Sequence, residues 1–381
     1  MLLISTWDLP LLAIKRRTLL TVLGTGSMAA LGLPGFVWAG TEAGQSLRWL
    51  NAFRAADGHY GIAVFDGTGQ LIRRTNLPER AHGAVATPDR RSFMVLARRP
   101  GRFGALIDAA SGRVQTMLSA TPGRHFYGHG VFSQDGTLFF TTENDFDGER
   151  GVIGIRNVND GYRWLGEWPS YGIGPHELVL SADGRTLIVA NGGILTHPDS
   201  GRAKLNIASM EPSLVKLDAQ TGQLLEQQAL EPALRWLSIR HIAVSVAGDV
   251  VFGMQNQGPP DPELPVAGIW RATGGLELLH HTSSLRQGYI GSVALDRSGT
   301  IAATSAPRDD KILFWRMRDG HMLTTVTLAD GCGIAAAEQA RSFWLSSGDG
   351  VLHKVSLERD VLQLTQSVTL PLQWDNHMAT L

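Results

Sequence analysis

A short apolar segment recurs along the chain, and in most copies it opens with histidine. The copies begin at His82, His129, His176, His241, Ser292 and Cys332. The first two intervals are both 47 residues long, and the third is stretched by an insertion at residues 192–213. A polar turn and a second apolar run follow each opening. Four short strands in about 40 to 50 residues are typical of a β-propeller blade.

A second signature marks the outer half of each repeat. Asp66, Asp108, Asn157 and Asp218 each open a turn that ends in glycine and lies between two β-rich runs. An Asp or Asn side chain hydrogen-bonds the backbone of such a turn, and glycine provides the positive φ. These segments are therefore predicted to be hairpins.

The two ends of the sequence complete a seventh repeat. Residues 47–50 match a second strand, and residues 377–381, which begin with His377, match a first strand. Termini that share a blade close the ring and leave no open sheet edge. We therefore predict an all-β fold, a single seven-bladed β-propeller of the YVTN/WD40-like type over residues 40–381, with a split closing blade formed by both termini.

Composition excludes several other classes of protein. The 34 basic and 35 acidic side chains give a net charge of −1, which argues against a nucleic-acid partner. A single cysteine excludes an internal disulfide framework and any CxxC motif. The 44 glycines and 17 prolines suit a turn-rich β protein.

The first 39 residues resemble an export signal of the twin-arginine type. Arg16 and Arg17 precede a modest uncharged stretch that ends in Ala39, although Leu19 stands where that pattern usually carries Phe. The alternative is a membrane anchor, but glycines and a proline break a stretch that is already short for a span of about 20 residues. We expect a periplasmic protein with no stable membrane span after the signal is removed.

The residues that open the first strands are the candidate metal ligands. In a propeller the first strand lines the central channel, so these side chains are expected to form one tier around the axis. Imidazole and thiolate are ligands that zinc, copper and iron prefer, and only 12 of the 381 residues are histidine. The candidate metal ligands are His82, His129, His176, His241, Cys332 and His377.

Three interpretations of this tier remain open at the level of the sequence. The histidines could be inherited by repeat duplication for packing alone, they could bind a metal, or they could contact a substrate. Seven blades spread a tier widely, so we expect only a subset to share one ion. His82, His129, His176 and His377 are the expected subset, because their blades are neighbours once the ring closes.

Polar and aromatic residues in the loops on the same face form a candidate mouth. Convergent arginine, amide and aromatic side chains are typical of a binding site. The candidate ligand-binding residues are Arg98, Arg124, His125, Tyr127, Glu143, Asn144, Asn191, Arg240, Gln255 and Arg308. Glu143, Asn144 and Asn191 follow equivalent strands, where they could instead cap strand ends. The insertion at 192–213 could be a lid, a docking arm or a plain surface excursion.

Four motifs strongly resemble an uncharacterised family of exported bacterial propellers, domain of unknown function 1513. They are residues 124–132 (RHFYGHGVF), 141–145 (TTEND), 174–178 (GPHEL) and 190–194 (ANGGI). Members are often encoded beside imelysin-type periplasmic iron-uptake proteins and haem-containing oxidoreductases. The resemblance implies a non-enzymatic accessory of metal acquisition, with iron or copper as the metal and an uptake protein as a partner. It implies no catalytic residue.

A weaker resemblance supports an alternative function. Residues 174–176 (Gly-Pro-His) and 190–191 (Ala-Asn) are similar to motifs of the propeller lactonases. That resemblance implies hydrolysis of a small anionic substrate, with His176 and either Glu143 or Arg240 acting on the lactone. A pure scaffold is the third alternative, since a propeller fold by itself implies no chemistry.

Overall fold

The computed structural model describes residues 47–201, 203–281 and 285–381, through which twenty-eight strands run. The export signal expected at residues 1–39 lies outside the described residues. The strands are β1 Arg48–Ala55, β2 Tyr60–Asp66, β3 Leu71–Leu77, β4 Ala81–Ala86, β5 Ser92–Ala97, β6 Phe103–Asp108, β7 Val114–Ser119, β8 Arg124–Phe132, β9 Leu138–Asp145, β10 Arg150–Asn157, β11 Arg163–Pro169, β12 Pro175–Leu180, β13 Thr186–Asn191, β14 Ser213–Asp218, β15 Leu224–Ala229, β16 Leu237–Val244, β17 Val250–Asn256, β18 Ala267–Trp270, β19 Leu276–Leu279, β20 Ser292–Leu295, β21 Ile301–Ala306, β22 Lys311–Arg316, β23 Met322–Thr327, β24 Gly331–Ala336, β25 Ser342–Ser347, β26 Val351–Glu358, β27 Val361–Thr369 and β28 Leu372–Thr380.

The helices in the described residues are single 3-10 turns. They are Val158–Asp160, Pro198–Ser200, Ile207–Ser209, Pro232–Leu234 and Pro307–Asp309. No helix among these residues could span a bilayer.

The strands form seven four-stranded antiparallel sheets, which are the blades. Blade 1 has the order β28-β1-β2-β3, and blades 2 to 7 follow in sequence from β4 to β27. The split closing blade is confirmed, since Trp49 of β1 pairs with Thr380 of β28. The first strands of successive blades contact one another, and β24, β28 and β4 complete the circuit. The predicted seven-bladed propeller is thus observed.

Apolar packing between neighbouring blades holds the ring together. In the described residues each of seven buried clusters lies between two adjacent blades. At the closing interface Trp49 and Phe65 of blade 1 pack against Trp344 of blade 7. The second strand of blade 2, β5, is buried along its whole length, whereas the outermost strand of that blade, β7, is largely exposed. Burial on both faces therefore fixes β5, and the first strand β4, which carries His82, pairs with it.

Candidate metal centre

Breaks in strand pairing position the tier. In β12 the register with β13 shifts between Pro175 and Glu177, and in β16 the register with β17 shifts between Ile239 and His241. Similar shifts occur at the tier positions of β4, β8, β24 and β28, whereas β20 pairs regularly from Ser292. A bulge changes the direction of the side chains beside it, and bulges are enriched near functional sites.

Five imidazoles from blades 1 to 5 meet in one cluster, the histidine cluster, formed by His82, His129, His176, His241 and His377. The ring centroids of His82 and His377 lie 4.4 Å apart, and those of His82 and His129 lie 4.9 Å apart. The centroid of His241 lies 4.8 Å from that of His176 and 4.5 Å from that of His377. Potential ligand atoms of four members, His82, His129, His176 and His377, all lie within 4.8 Å of one another. The expected subset is therefore together in space, and metal ligation by it stays a prediction.

Burial keeps these imidazoles neutral. Desolvation lowers the pKa of His129 to about 4 and that of His241 to about 3. Desolvation, together with the neighbouring histidine and arginine charges, lowers the pKa values of His82, His176 and His377 well below 6.5. Near neutral pH each ring therefore has one nitrogen lone pair that a metal ion could use.

Several nitrogens of the cluster have no hydrogen bond within the described part of the chain. They are Nδ1 of His82, Nε2 of His129 and Nε2 of His176. The remaining contacts are few: Nε2 of His377 lies 3.3 Å from Nε2 of His82, and Arg240 donates to Nδ1 of His176 at 3.2 Å. Buried polar atoms without partners are rare and point to a group that these nitrogens could hold.

The carboxylate of Glu177 contacts two members of the histidine cluster. Its Oε2 accepts a hydrogen bond from Nδ1 of His241 at 3.2 Å, and its Oε1 lies 3.4 Å from Nδ1 of His129. Burial raises the pKa of the Glu177 carboxyl. In its ionised form it can only accept, so it keeps the protons on both Nδ1 atoms and leaves Nε2 as the lone pair. Glu177 also forms a second group of potential ligands with His129 and His241.

The sequence pattern does not indicate Glu177. In a regular strand the residue after His176 points to the opposite side, so alternation alone places it away from the tier. The register shift at Pro175 and Glu177 cancels that alternation. Only an expected bulge at this position could have indicated it.

Cys332 and Ser292 occupy the tier positions of blades 7 and 6 but stay outside the histidine cluster. The Cys332 thiol donates to the backbone carbonyl of Asp375 at 3.3 Å, and burial raises its pKa to about 12. A protonated thiol is not a metal ligand. Among the described residues, neither group of potential metal ligands contains Cys332, so it is not proposed as a metal ligand.

Pockets lie on both sides of the histidine cluster. On one side a small cavity, the mouth pocket, has a volume of about 40 Å³. Besides His82, His176 and His241, it is lined by Arg98, Arg99, Tyr127, Arg240, Gln255, Tyr289 and Asn376. A larger cavity of about 300 Å³, with His129 and Glu177 among its lining residues, lies against strands β4, β8 and β12. Four of the candidate ligand-binding residues, Arg98, Tyr127, Arg240 and Gln255, thus line the mouth pocket.

In the described part of the chain the other candidate ligand-binding residues are not in the lining of this pocket, although Arg308 contacts its Tyr289. The fully buried Glu143 pairs with Arg156 at 2.7 Å, and Arg124 pairs with Asp145 and Glu167. These carboxylates and Arg124 thus compensate charges within blade 3, which is why Glu143 does not reach the mouth.

The four remaining candidates make contacts with neighbouring segments. Asn144 donates to the carbonyl of Thr196, which fastens the insertion to β9, and Asn191 donates to the carbonyl of Ser170. His125 lies in a separate small pocket with Arg99 and His197, and Arg308 stacks on Tyr289. The mouth pocket also includes Asn376, which no sequence pattern singled out.

A family model covers most of the chain. Residues 75–381 match a family described as "Protein of unknown function (DUF1513)". The chain belongs to this family. No curated protein matches the sequence.

Solved structures similar to this DUF1513 chain are diverse propellers. A chain of Kuenenia stuttgartiensis hydrazine synthase is 13% identical with a TM-score of 0.61, over 88% of this chain and 99% of that one. The structure of U3-55K is 12% identical with a TM-score of 0.58, over 77% and 83%. A chain of the mitotic checkpoint complex is 14% identical with a TM-score of 0.54, over 73% and 74%. At such identities the likeness supports the fold alone.

Proposed function

We propose that this protein binds a transition-metal ion at the histidine cluster and acts as a non-enzymatic periplasmic accessory of metal acquisition, with iron as the first candidate metal and copper as the next. One observation carries the proposal. Potential ligand atoms of His82, His129, His176 and His377 lie within 4.8 Å of one another in a buried site. Neutral imidazole nitrogens at this spacing are a donor set that iron, copper and zinc accept.

Packing alone explains the cluster less well. Each buried polar atom that lacks a hydrogen bond costs about 1–3 kcal/mol, and the cluster has three such nitrogens. A cluster evolved for packing would satisfy these atoms or replace them with apolar groups. At His82 and His129 a metal ion would use the lone pair of the unpartnered nitrogen and offset this cost, whereas at His176 the lone pair is on Nδ1, which accepts from Arg240.

The surroundings of the cluster support the same conclusion. A carboxylate that accepts the Nδ1–H of a histidine is the usual outer partner in metal sites, and Glu177 has this position toward His129 and His241. At His176 coordination through Nδ1 would replace the hydrogen bond from Arg240. The role in acquisition rests on the expected export signal and on the iron-uptake neighbourhood that the family resemblance implies.

Metal content of protein purified without a metal-binding tag tests the proposal. We expect near-stoichiometric iron, copper or zinc by mass spectrometry after incubation with each ion and desalting. The double variant His129→Ala, His176→Ala should lose this metal and keep the propeller fold by circular dichroism. The matched control, His59→Ala with His321→Ala, changes two exposed histidines outside the cluster and should keep full metal content.

Unchanged metal content in the double variant at residues 129 and 176 would overturn the proposal. Absence of metal in the wild type under every loading condition would do the same. Turnover of a lactone that is lost in His176→Gln would instead establish the hydrolase alternative.

A further inference from the structure

Positive charge converges on the mouth pocket. Arg98, Arg99 and Arg240 line it, and no aspartate or glutamate is among the described residues of its lining. The nearby carboxylate of Asp375 pairs with Arg98 at 3.5 Å and also with Arg80. Arg80 is not among the lining residues, and the wall of the pocket itself presents the three guanidinium groups of Arg98, Arg99 and Arg240.

The insertion brings one more basic side chain near the pocket. Lys204, in the segment that Asn144 fastens to β9, has its pKa lowered by partial burial and by the charges of Arg240, Arg308 and Arg99. Besides the burial, the three arginine charges show that Lys204 lies close to the basic side of the mouth pocket.

Neutral donors surround the same cavity. The Tyr127 side chain is only 1% exposed, and its hydroxyl lies beside the Thr196 side chain with no other hydrogen-bond partner among the described residues. Gln255 and Asn376 add side-chain amides to the lining. A buried hydroxyl at a cavity wall beside guanidinium groups is suited to donate to an oxygen of an anionic ligand.

We propose that the mouth pocket binds a small oxyanion, a carboxylate or phosphate group, next to the histidine cluster. The cavity of about 40 Å³ accommodates one such group and a water molecule but not a drug-sized ligand. Guanidinium groups recognise carboxylate and phosphate through paired hydrogen bonds. The proposal rests on the pocket alone. It also deepens the proposed function, because neutral imidazoles do not compensate the charge of a bound cation. An anion beside the cation would offset that charge.

Titration calorimetry on metal-free protein tests this proposal. The protein is treated with a chelator, the chelator is removed, and inorganic phosphate or acetate is titrated at pH 7.5 in a buffer without other oxyanions. We expect saturable, salt-sensitive binding of one anion per chain. Tighter binding of phosphate would identify a free inorganic anion as the ligand, and tighter binding of acetate would identify the carboxylate of an organic molecule.

Two variants locate the binding site. Arg99→Gln should weaken binding about ten-fold or more, because it removes a charge-assisted hydrogen bond. Tyr127→Phe, which keeps the ring and removes only the hydroxyl, should weaken binding several-fold. The matched control is Arg102→Gln. Arg102 lies in the same loop as Arg99 but donates to the backbone carbonyls of Ala120 and Thr121, so this variant should bind the anion as the wild type does.

The outcomes for anion and metal are separable. No binding of either anion at millimolar concentration, or equal binding by wild type and both variants, would overturn the anion site. Metal content measured on protein loaded with each ion and desalted, without chelator treatment, judges the proposed function independently. Anion binding by a protein that retains no metal under any loading condition would leave this inference standing and remove the metal site.

Discussion

At the scale of single residues, Glu177 controls which nitrogens of the cluster are available. Its two oxygens face Nδ1 of His129 and Nδ1 of His241, so one carboxylate sets two tautomers. Glutamine has one acceptor oxygen and one amide nitrogen that can only donate. The amide nitrogen would therefore turn one of the two imidazoles to the tautomer with the proton on Nε2.

We expect Glu177→Gln to weaken metal binding about 10- to 100-fold while the four-histidine group stays in place. A competition titration against a coloured chelator measures this change. Asp183→Asn, in an exposed turn of the same blade, is the control and should bind as the wild type does. Equal affinities for Glu177→Gln and the control would show that Glu177 does not position these ligands.

The sequence was sufficient to find the cluster but not its partners. The 47-residue repeat aligned His82, His129 and His176, and the split blade added His377, so duplication itself indicated the shared position. Glu143 and Glu177 show where this reasoning stops. Glu143 was expected to follow a strand but lies within β9, where its charge pairs with the buried Arg156, whereas Glu177 reaches the cluster only through a register shift. Pairing and bulges depend on contacts between distant segments, which a repeat does not encode.

At the scale of strands, the bulged first strands need glycine where they approach one another. Gly128 lies in β8, one residue before His129, and has a φ of +109°. A Cβ atom at this position would lie 2.6 to 2.7 Å from atoms of the His82 side chain in the neighbouring blade. The backbone of β8 thus supports the imidazole of His82 directly.

Gly128→Ala should lower the free energy of unfolding by about 1–3 kcal/mol more than a Gly→Ala change that strains the backbone but causes no close contact. It should also reduce the metal content. The control is Gly58→Ala, at a φ of +90° with no other atom within 4 Å of the added Cβ. Urea unfolding and metal analysis of both variants measure the difference. If the two variants are equally stable and equally loaded with metal, the close approach of β8 to His82 has no role in the site.

At the scale of the whole molecule, ring closure collects side chains that are distant in sequence. Packing between blades carries the stability of the fold, and the channel that results is filled by five imidazoles from five consecutive blades. The sequence predicted this architecture because turn signatures and strand runs recur in every repeat. The short distances between the imidazoles could be seen only in the structure, because the geometry of the closed ring sets how closely the seven first strands approach one another.

The same convergence makes the stability of the metal-free protein dependent on pH. Unfolded histidines titrate near 6.5, whereas burial lowers the folded pKa of His129 to about 4 and that of His241 to about 3. Below pH 6.5 the unfolded chain therefore binds more protons than the folded chain, and the free energy of unfolding falls as the pH falls toward 4. Each such histidine contributes a slope of up to about 1.4 kcal/mol per pH unit.

Replacing two of these histidines should flatten that dependence. We expect the His129→Ala, His176→Ala variant to lose stability less steeply than the wild type between pH 6.5 and 4, by up to about 2 to 3 kcal/mol per pH unit. Urea unfolding of metal-free protein at several pH values measures both slopes. The exposed-histidine control, His59→Ala with His321→Ala, should keep the steep slope of the wild type, because neither residue is in the buried cluster. Parallel slopes for the cluster variant and the wild type would contradict this prediction. They would mean that these imidazoles take up protons in the folded protein as readily as in the unfolded chain, so that burial does not keep them neutral.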